Sequence, residues 1–180
     1  MSQIKVDSIV PRGGLPAGAS SGGIIQIVGT SVNATAAMSL GGGSGNSAWT
    51  DVSGMSVTIT PQSASSKIFI MCTLRGSPNG AYLGVRLMRG STPIFIGSGA
   101  TGNQTNCTSR FQERPNEHRT VQIDHHGIDS PATTSATTYK VQVANRHSTE
   151  NFWFNRPQTL DNNNYTMYVS SSFTAMELTP

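Results

Sequence analysis

The residues best equipped for chemistry stand close together in "EHRTVQIDHHGID", residues 117–129, which holds His118, Asp124, His125, His126 and Asp129. Imidazoles and carboxylates together can bind zinc or another divalent ion, and neighbouring histidines occur in such sites. On a strand, however, His125 and His126 point to opposite faces, so only one of them can join Asp124 without a bend. Asp124, His125 and His126 are therefore the metal candidates, and the competing reading is a set of polar strand-end residues. No metal or other cofactor is expected.

Other settings that activate a nucleophile are missing from the pattern. His147 lies in the polar stretch "ANRHSTEN", and no serine occupies a G-x-S-x-G turn of the kind that exposes a reactive hydroxyl. Gly13-Gly14, Gly22-Gly23 and Gly41-Gly42-Gly43 lack the Lys-Ser/Thr and the following helix of a phosphate loop. Glycoside hydrolysis needs paired carboxylates across a cleft. Beyond the N-terminal segment the chain offers Asp51, Glu113, Glu117, Asp124, Asp129, Glu150, Asp161 and Glu177, with no pair that spacing brings together. An enzyme is not expected. Cys72 sits in an apolar run and Cys107 in "NQTNCTSR", and two free thiols are expected.

The elements that would carry these residues follow a period of two. In "MSVTITP", Val57 and Ile59 alternate with Ser56, Thr58 and Thr60, as in a strand with one face on a core. "KIFIMCTLR" puts Ile68, Ile70, Cys72 and Leu74 on one face, with Phe69 and Met71 on the other, which suits a central or doubly covered strand. The "PQSASS" between them predicts a hairpin. Leu83, Val85 and Leu87 mark the next strand, with Arg86 and Arg89 directed to solvent or a neighbouring subunit, and Ile94 and Ile96 follow after "RGSTP". Further strands are expected around Ile24–Val32, Val121–Ile123, Tyr139–Val143, "NFWFN" and "YTMYVSSSFTAMEL", while "NATAAMSLGGGSGNSAW" reads as a flexible loop. No apolar stripe persists at helical spacing. The fold expected is all-β, an antiparallel β-sandwich of jelly-roll type. A head domain would span residues 24–180 behind an extended arm of residues 1–23.

Charged residues make up only 12% of the 180, and the net charge of +3 comes without any cluster of cations, so nucleic-acid binding is not expected. No apolar run is long enough to span a bilayer and no secretion signal is recognisable, so membrane insertion is not expected either. In the arm, Ile4 and Val6 alternate with Lys5 and Asp7, and Ile9 and Val10 precede Pro11, Arg12, Gly13, Gly14, Leu15 and Pro16. The prolines forbid a helix, and the alternation suits addition of a strand to the edge of a partner's sheet.

The opening "IKVDSIVPRGGLPAGASSGGIIQ" closely resembles the N-terminal signature of small virion structural proteins of marine tailed phages, especially cyanophages. "VSGMSVTITPQSASSKIFIMC" resembles the β-rich domains of those proteins and of phage fibre heads, and "VRLMRGSTPIFIG" and the terminal "AMEL" continue the likeness. Residues 101–119 and 146–164 match nothing in it. The resemblance implies a virion structural protein: a surface fibre or appendage whose arm docks on tail or capsid proteins and whose head contacts a host glycan or protein. The alternative is a capsid decoration protein with no receptor. For a fibre-like protein a homotrimer is expected, with Phe152, Trp153 and Phe154 as interface residues because they populate both faces of one strand. Trp153 can also be read as a platform for sugar stacking.

Overall fold

The computed structural model describes residues 23–41, 48–78, 82–102, 104–111, 119–145, 150–164 and 166–179. The arm residues Ile4 through Pro16, and with them Glu113, Glu117, His118 and His147, lie outside the described residues. The described chain forms strands β1 (Ile24–Val32), β2 (Ala36–Leu40), β3 (Thr50–Ile59), β4 (Lys67–Pro78), β5 (Leu83–Arg89) and β6 (Thr92–Ile94). They are followed by β7 (Ser109–Phe111), β8 (Val121–Asp129), β9 (Thr137–Asn145), β10 (Glu150–Phe154) and β11 (Ser171–Leu178).

All pairings are antiparallel and fall into two sheets that face each other across one core. The larger runs β1-β11-β4-β10-β2, with β8 on the other edge of β4; the smaller runs β3-β9-β5-β6, with β7 also on β5. This is the expected antiparallel β-sandwich. Alternation sends Met55, Val57 and Ile59 of β3, Ile68, Ile70 and Leu74 of β4, and Leu83, Val85 and Leu87 of β5 inward, where all are buried. Tyr139, Phe152 and Phe173 are fully buried among them, and each ring contributes roughly 2–3 kcal/mol by leaving water.

The expected hairpin between "MSVTITP" and "KIFIMCTLR" does not form. β3 pairs with β9 in the smaller sheet and β4 with β11, β8 and β10 in the larger, so the connection crosses from one sheet to the other. Glu177 explains why the crossing is stable. Its fully buried carboxylate accepts hydrogen bonds from the Gln62 backbone amide (2.7 Å) and from Gln26 Nε2 (2.6 Å), and Gln26 also donates to the Thr60 carbonyl (2.7 Å). Burial pushes the Glu177 carboxyl up, but these donors and the Ser63 amide outweigh it and hold the group below its ordinary value.

Two strands have no counterpart in the alternation pattern. β2 lies in the stretch that reads as a flexible loop, and β7 is only three residues long. β10 joins β2 to the sheet and meets β4 at Phe152↔Pro78, Trp153↔Ser77 and Phe154↔Gly76. Gly76 is required there, because a Cβ would stand 2.6 Å from Phe152 Cζ and against the Trp153 carbonyl. Beyond β10, Asn155 adopts a positive φ of 58°, donates to the Val32 (2.6 Å) and Ala34 (3.0 Å) carbonyls and accepts from Ser171 Oγ (2.6 Å). It thereby ties the β1–β2 turn to the start of β11.

Phe152 is 0%, Phe154 2% and Trp153 9% exposed in the single chain. Atoms of their own chain cover all three, so they have almost no surface to offer a neighbouring subunit or a sugar. Arg89 also departs from expectation. It shares the inward parity of Leu83, Val85 and Leu87, and at the end of β5 its Nη1 reaches both oxygens of Asp129 on β8 at 2.9 Å. Tyr139 Oη on β9 donates to the same carboxylate at 2.7 Å, so a polar triad joins the two sheets.

Candidate binding cleft

The metal candidates separate as the strand period requires. His125 lies on the inner face of β8, its ring 5.2 Å from that of Phe95, and Gly127 beside it leaves the room that the Phe95 ring fills. Burial, and then the neighbouring His126, lower its pKa. His126 turns outward toward the Phe69 ring, at 6.4 Å between centroids. Asp124, also outward, accepts from Thr73 Oγ1 (2.7 Å) and Gln122 Nε2 (2.6 Å). Among the described residues no group of three His, Cys, Asp or Glu side chains is placed to hold an ion. The carboxylates are likewise dispersed: Asp129 and Glu177 serve the interior, Asp124 the outer face of the larger sheet, and Asp51 the outer face of the smaller one.

The outer face of the smaller sheet pairs aromatic surface with converging polar groups. Trp49, just before β3, lies over β5 at Gly84, where an added Cβ would meet its ring at 3.2 Å. Arg86, outward on the same strand, places its guanidinium 4.3 Å from the Trp49 ring centroid. That guanidinium is held in turn: Arg86 Nε donates to Gln142 Oε1 (2.7 Å), Gln142 Nε2 to Asp51 Oδ1 (2.6 Å), and Lys140 Nζ to Asp51 Oδ2 (2.8 Å). The hydrogen bond from Lys140 and then that from Gln142 hold the Asp51 carboxyl below its usual range. The relay fixes the Trp49 ring from behind.

Across from it stands Tyr82, with Arg110 of β7 at 5.4 Å from its ring centroid. The segment between β6 and β7 closes the side. Thr108 pins it to β5, its amide donating to the Val85 carbonyl (2.9 Å) and its Oγ1 accepting from the Leu87 amide (2.9 Å) and donating to the Ile94 carbonyl (3.1 Å). Gln104, Thr105 and Cys107 are thus brought up to Trp49, Tyr82 and Arg110 around a cleft of about 370 Å³. Its described lining contains neither carboxylate nor imidazole. Such a site can stack a flat or faceted ring, hydrogen-bond its polar rim and accept negative charge.

By sequence Trp153 suits sugar stacking and Trp49 lies in a stretch that reads as loop, yet of the chain's two tryptophans Trp49 is the accessible one. No local signal pointed to it, because Gly84, which seats the ring, lies on β5, with β9 between it and β3. No protein-family model and no curated protein matches this chain.

Neither cysteine is in a disulfide. Burial, with a smaller contribution from Asp124, pushes the Cys72 thiol up to about 12, whereas Cys107 is partly exposed on the cleft wall. Thiol titration with a chromogenic disulfide at pH 8 should therefore find one fast-reacting group per native chain, lost in Cys107→Ser, and two after denaturation.

Proposed function

We propose that this chain is a virion structural protein displayed on the particle surface, an attachment module whose sandwich head contacts a host-surface saccharide through the Trp49–Tyr82 cleft. The virion setting rests on the resemblance of the N-terminal segment and the strands to small tailed-phage structural proteins. The saccharide rests on one observation: two aromatic rings, Trp49 backed by Arg86 and Tyr82 beside Arg110, face a cleft whose remaining described lining is Gly84, Gln104, Thr105 and Cys107. Aromatic faces stack on the apolar faces of sugar rings, and planar guanidinium and amide groups suit the hydroxyls and acidic substituents at their edges.

The test uses the full chain and purified host envelope polysaccharide, followed by tryptophan fluorescence. Saturable quenching is expected, and Trp49→Ala should weaken binding about tenfold or more, equivalent to roughly 1.4 kcal/mol. Binding unchanged in Trp49→Ala, or none by the wild type, would overturn the assignment of this cleft. Antibody labelling of purified particles addresses the setting, and absence from them would remove the virion from the proposal.

A further inference from the structure

The face of the sandwich opposite the cleft is apolar at its centre. On the outer surface of the larger sheet, Ile27 of β1, Met176 of β11, Phe69 of β4 and Ile128 of β8 fall in one row across the strands by the observed register. Ile27 and Ile128, at its two ends, are each 57% exposed, and Met71 in the next row is 45% exposed. A monomer in water does not ordinarily keep such a continuous stripe uncovered. Among the described residues on this face of the four strands, charge lies at the rim: Lys67 at one end, Arg75 and Asp124 at the other. That is the anatomy of a protein interface, an apolar centre within a polar border.

The pattern also matches itself. A twofold axis along the strands, between β11 and β4, sets β1 of one copy on β8 of the other and β11 on β4. The apolar row then meets its own image, Ile27 against the second copy's Ile128 and Met176 against its Phe69. In the adjoining row Gly29 and Thr174 stand on one side and His126 and Met71 on the other. The bulky pair of each copy therefore enters the depression left by the small pair of the other. The next row opposes Ser31 to Asp124 and Ser172 to Thr73, which are hydrogen-bonding partners. At strand spacings of about 4.8 Å and a two-residue repeat of about 6.8 Å, these three rows on four strands cover roughly 400 Å² of flat sheet. With the flanking rows of Lys67 and Arg75 the face reaches roughly 650 Å², approaching the roughly 800 Å² per partner of a stable complex.

The geometry points to this face as a self-association surface: two copies of the chain pack sheet to sheet through it about a twofold axis. The proposal rests on the reading of the chain as a surface module, puts a twofold pair in place of the homotrimer expected from the sequence, and uses a surface other than the buried Phe152, Trp153 and Phe154. It turns the saccharide clefts of the two copies outward, on opposite sides of the pair.

Sedimentation of the full chain should give twice the 19.0 kDa chain mass. Ile128→Asp, at a position more than half exposed, should leave the melting temperature of the chain's own fold intact and raise the dissociation constant at least tenfold. Cross-linking tests the axis. In a Cys107→Ser background, Ile27→Cys chains mixed with Ile128→Cys chains should form a disulfide-linked pair, while neither variant alone does so. Within one chain these positions stand roughly 14 Å apart, beyond disulfide reach. A monomer, a trimer, or a dimer indifferent to Ile128→Asp would overturn the proposal. Saccharide binding by the Ile128→Asp monomer is read separately through Trp49, so failure of the interface and failure of the cleft remain distinct.

Discussion

Asp129→Ala is expected to lower the unfolding free energy by about 3 kcal/mol, the low end of the cost of breaking a buried pair from one side, because the Arg89 side chain is 31% exposed. The Asp129 side chain is only 10% exposed, and its loss leaves the Tyr139 hydroxyl without its acceptor in the core and the Arg89 Nη1 with the Ser130 carbonyl alone (3.2 Å). Burial, followed by the hydrogen bond to Asp129, already pushes the Tyr139 hydroxyl well above its ordinary pKa, so it stays a neutral donor in need of an acceptor. Tyr139→Phe removes only that donor and should cost about 1 kcal/mol. Thermal unfolding followed by circular dichroism would show the contrast as a melting shift several times larger for Asp129→Ala. Equal shifts would mean that Arg89 contributes nothing across the two sheets.

Glu177→Gln should cost roughly 2 kcal/mol at neutral pH, because the Gln62 amide and Gln26 side chain lose an ionised acceptor in a site closed to water. The difference should depend on pH with a definite sign. The folded-state pKa lies below the ordinary 4.5, so the stabilisation is fully present above that value and disappears as the pH falls through the lower, folded one. Urea unfolding between pH 7 and pH 3 should therefore show the wild type converging on the variant at the acid end. A gap that stays constant, or widens, would exclude the buried carboxylate as its source.

The same residues show where sequence pattern stops being informative. Glu177 and Asp129 look like any carboxylates at strand ends, and alternation gives them inward parity without naming a partner. Gln26 and Gln62, which meet Glu177, lie far from it in the chain, as do Arg89 and Tyr139 from each other. Trp49 and Trp153 pose the same difficulty in reverse. Local context placed Trp153 on a strand with two populated faces and Trp49 beside glycines and serines, yet chain packing buries the first and leaves the second at the cleft. Which aromatic is covered depends on what crosses over it. No local signal carries that information.

Alternation of Val, Ile and Thr with polar residues determined by itself that the chain is all-β and which side chains face the core, because a pleated strand imposes a period of two wherever it lies. It also determined that His125 and His126 part company, for the same reason. Tertiary structure alone decided that β3 and β4 belong to different sheets, that Arg89 turns inward to Asp129, that Trp49 rests on Gly84, and that Ile27, Phe69 and Ile128 line up across strands. Each of these is a register between segments distant in sequence. Register is set by which apolar faces bury one another, an energy that belongs to the pair and is written in neither segment.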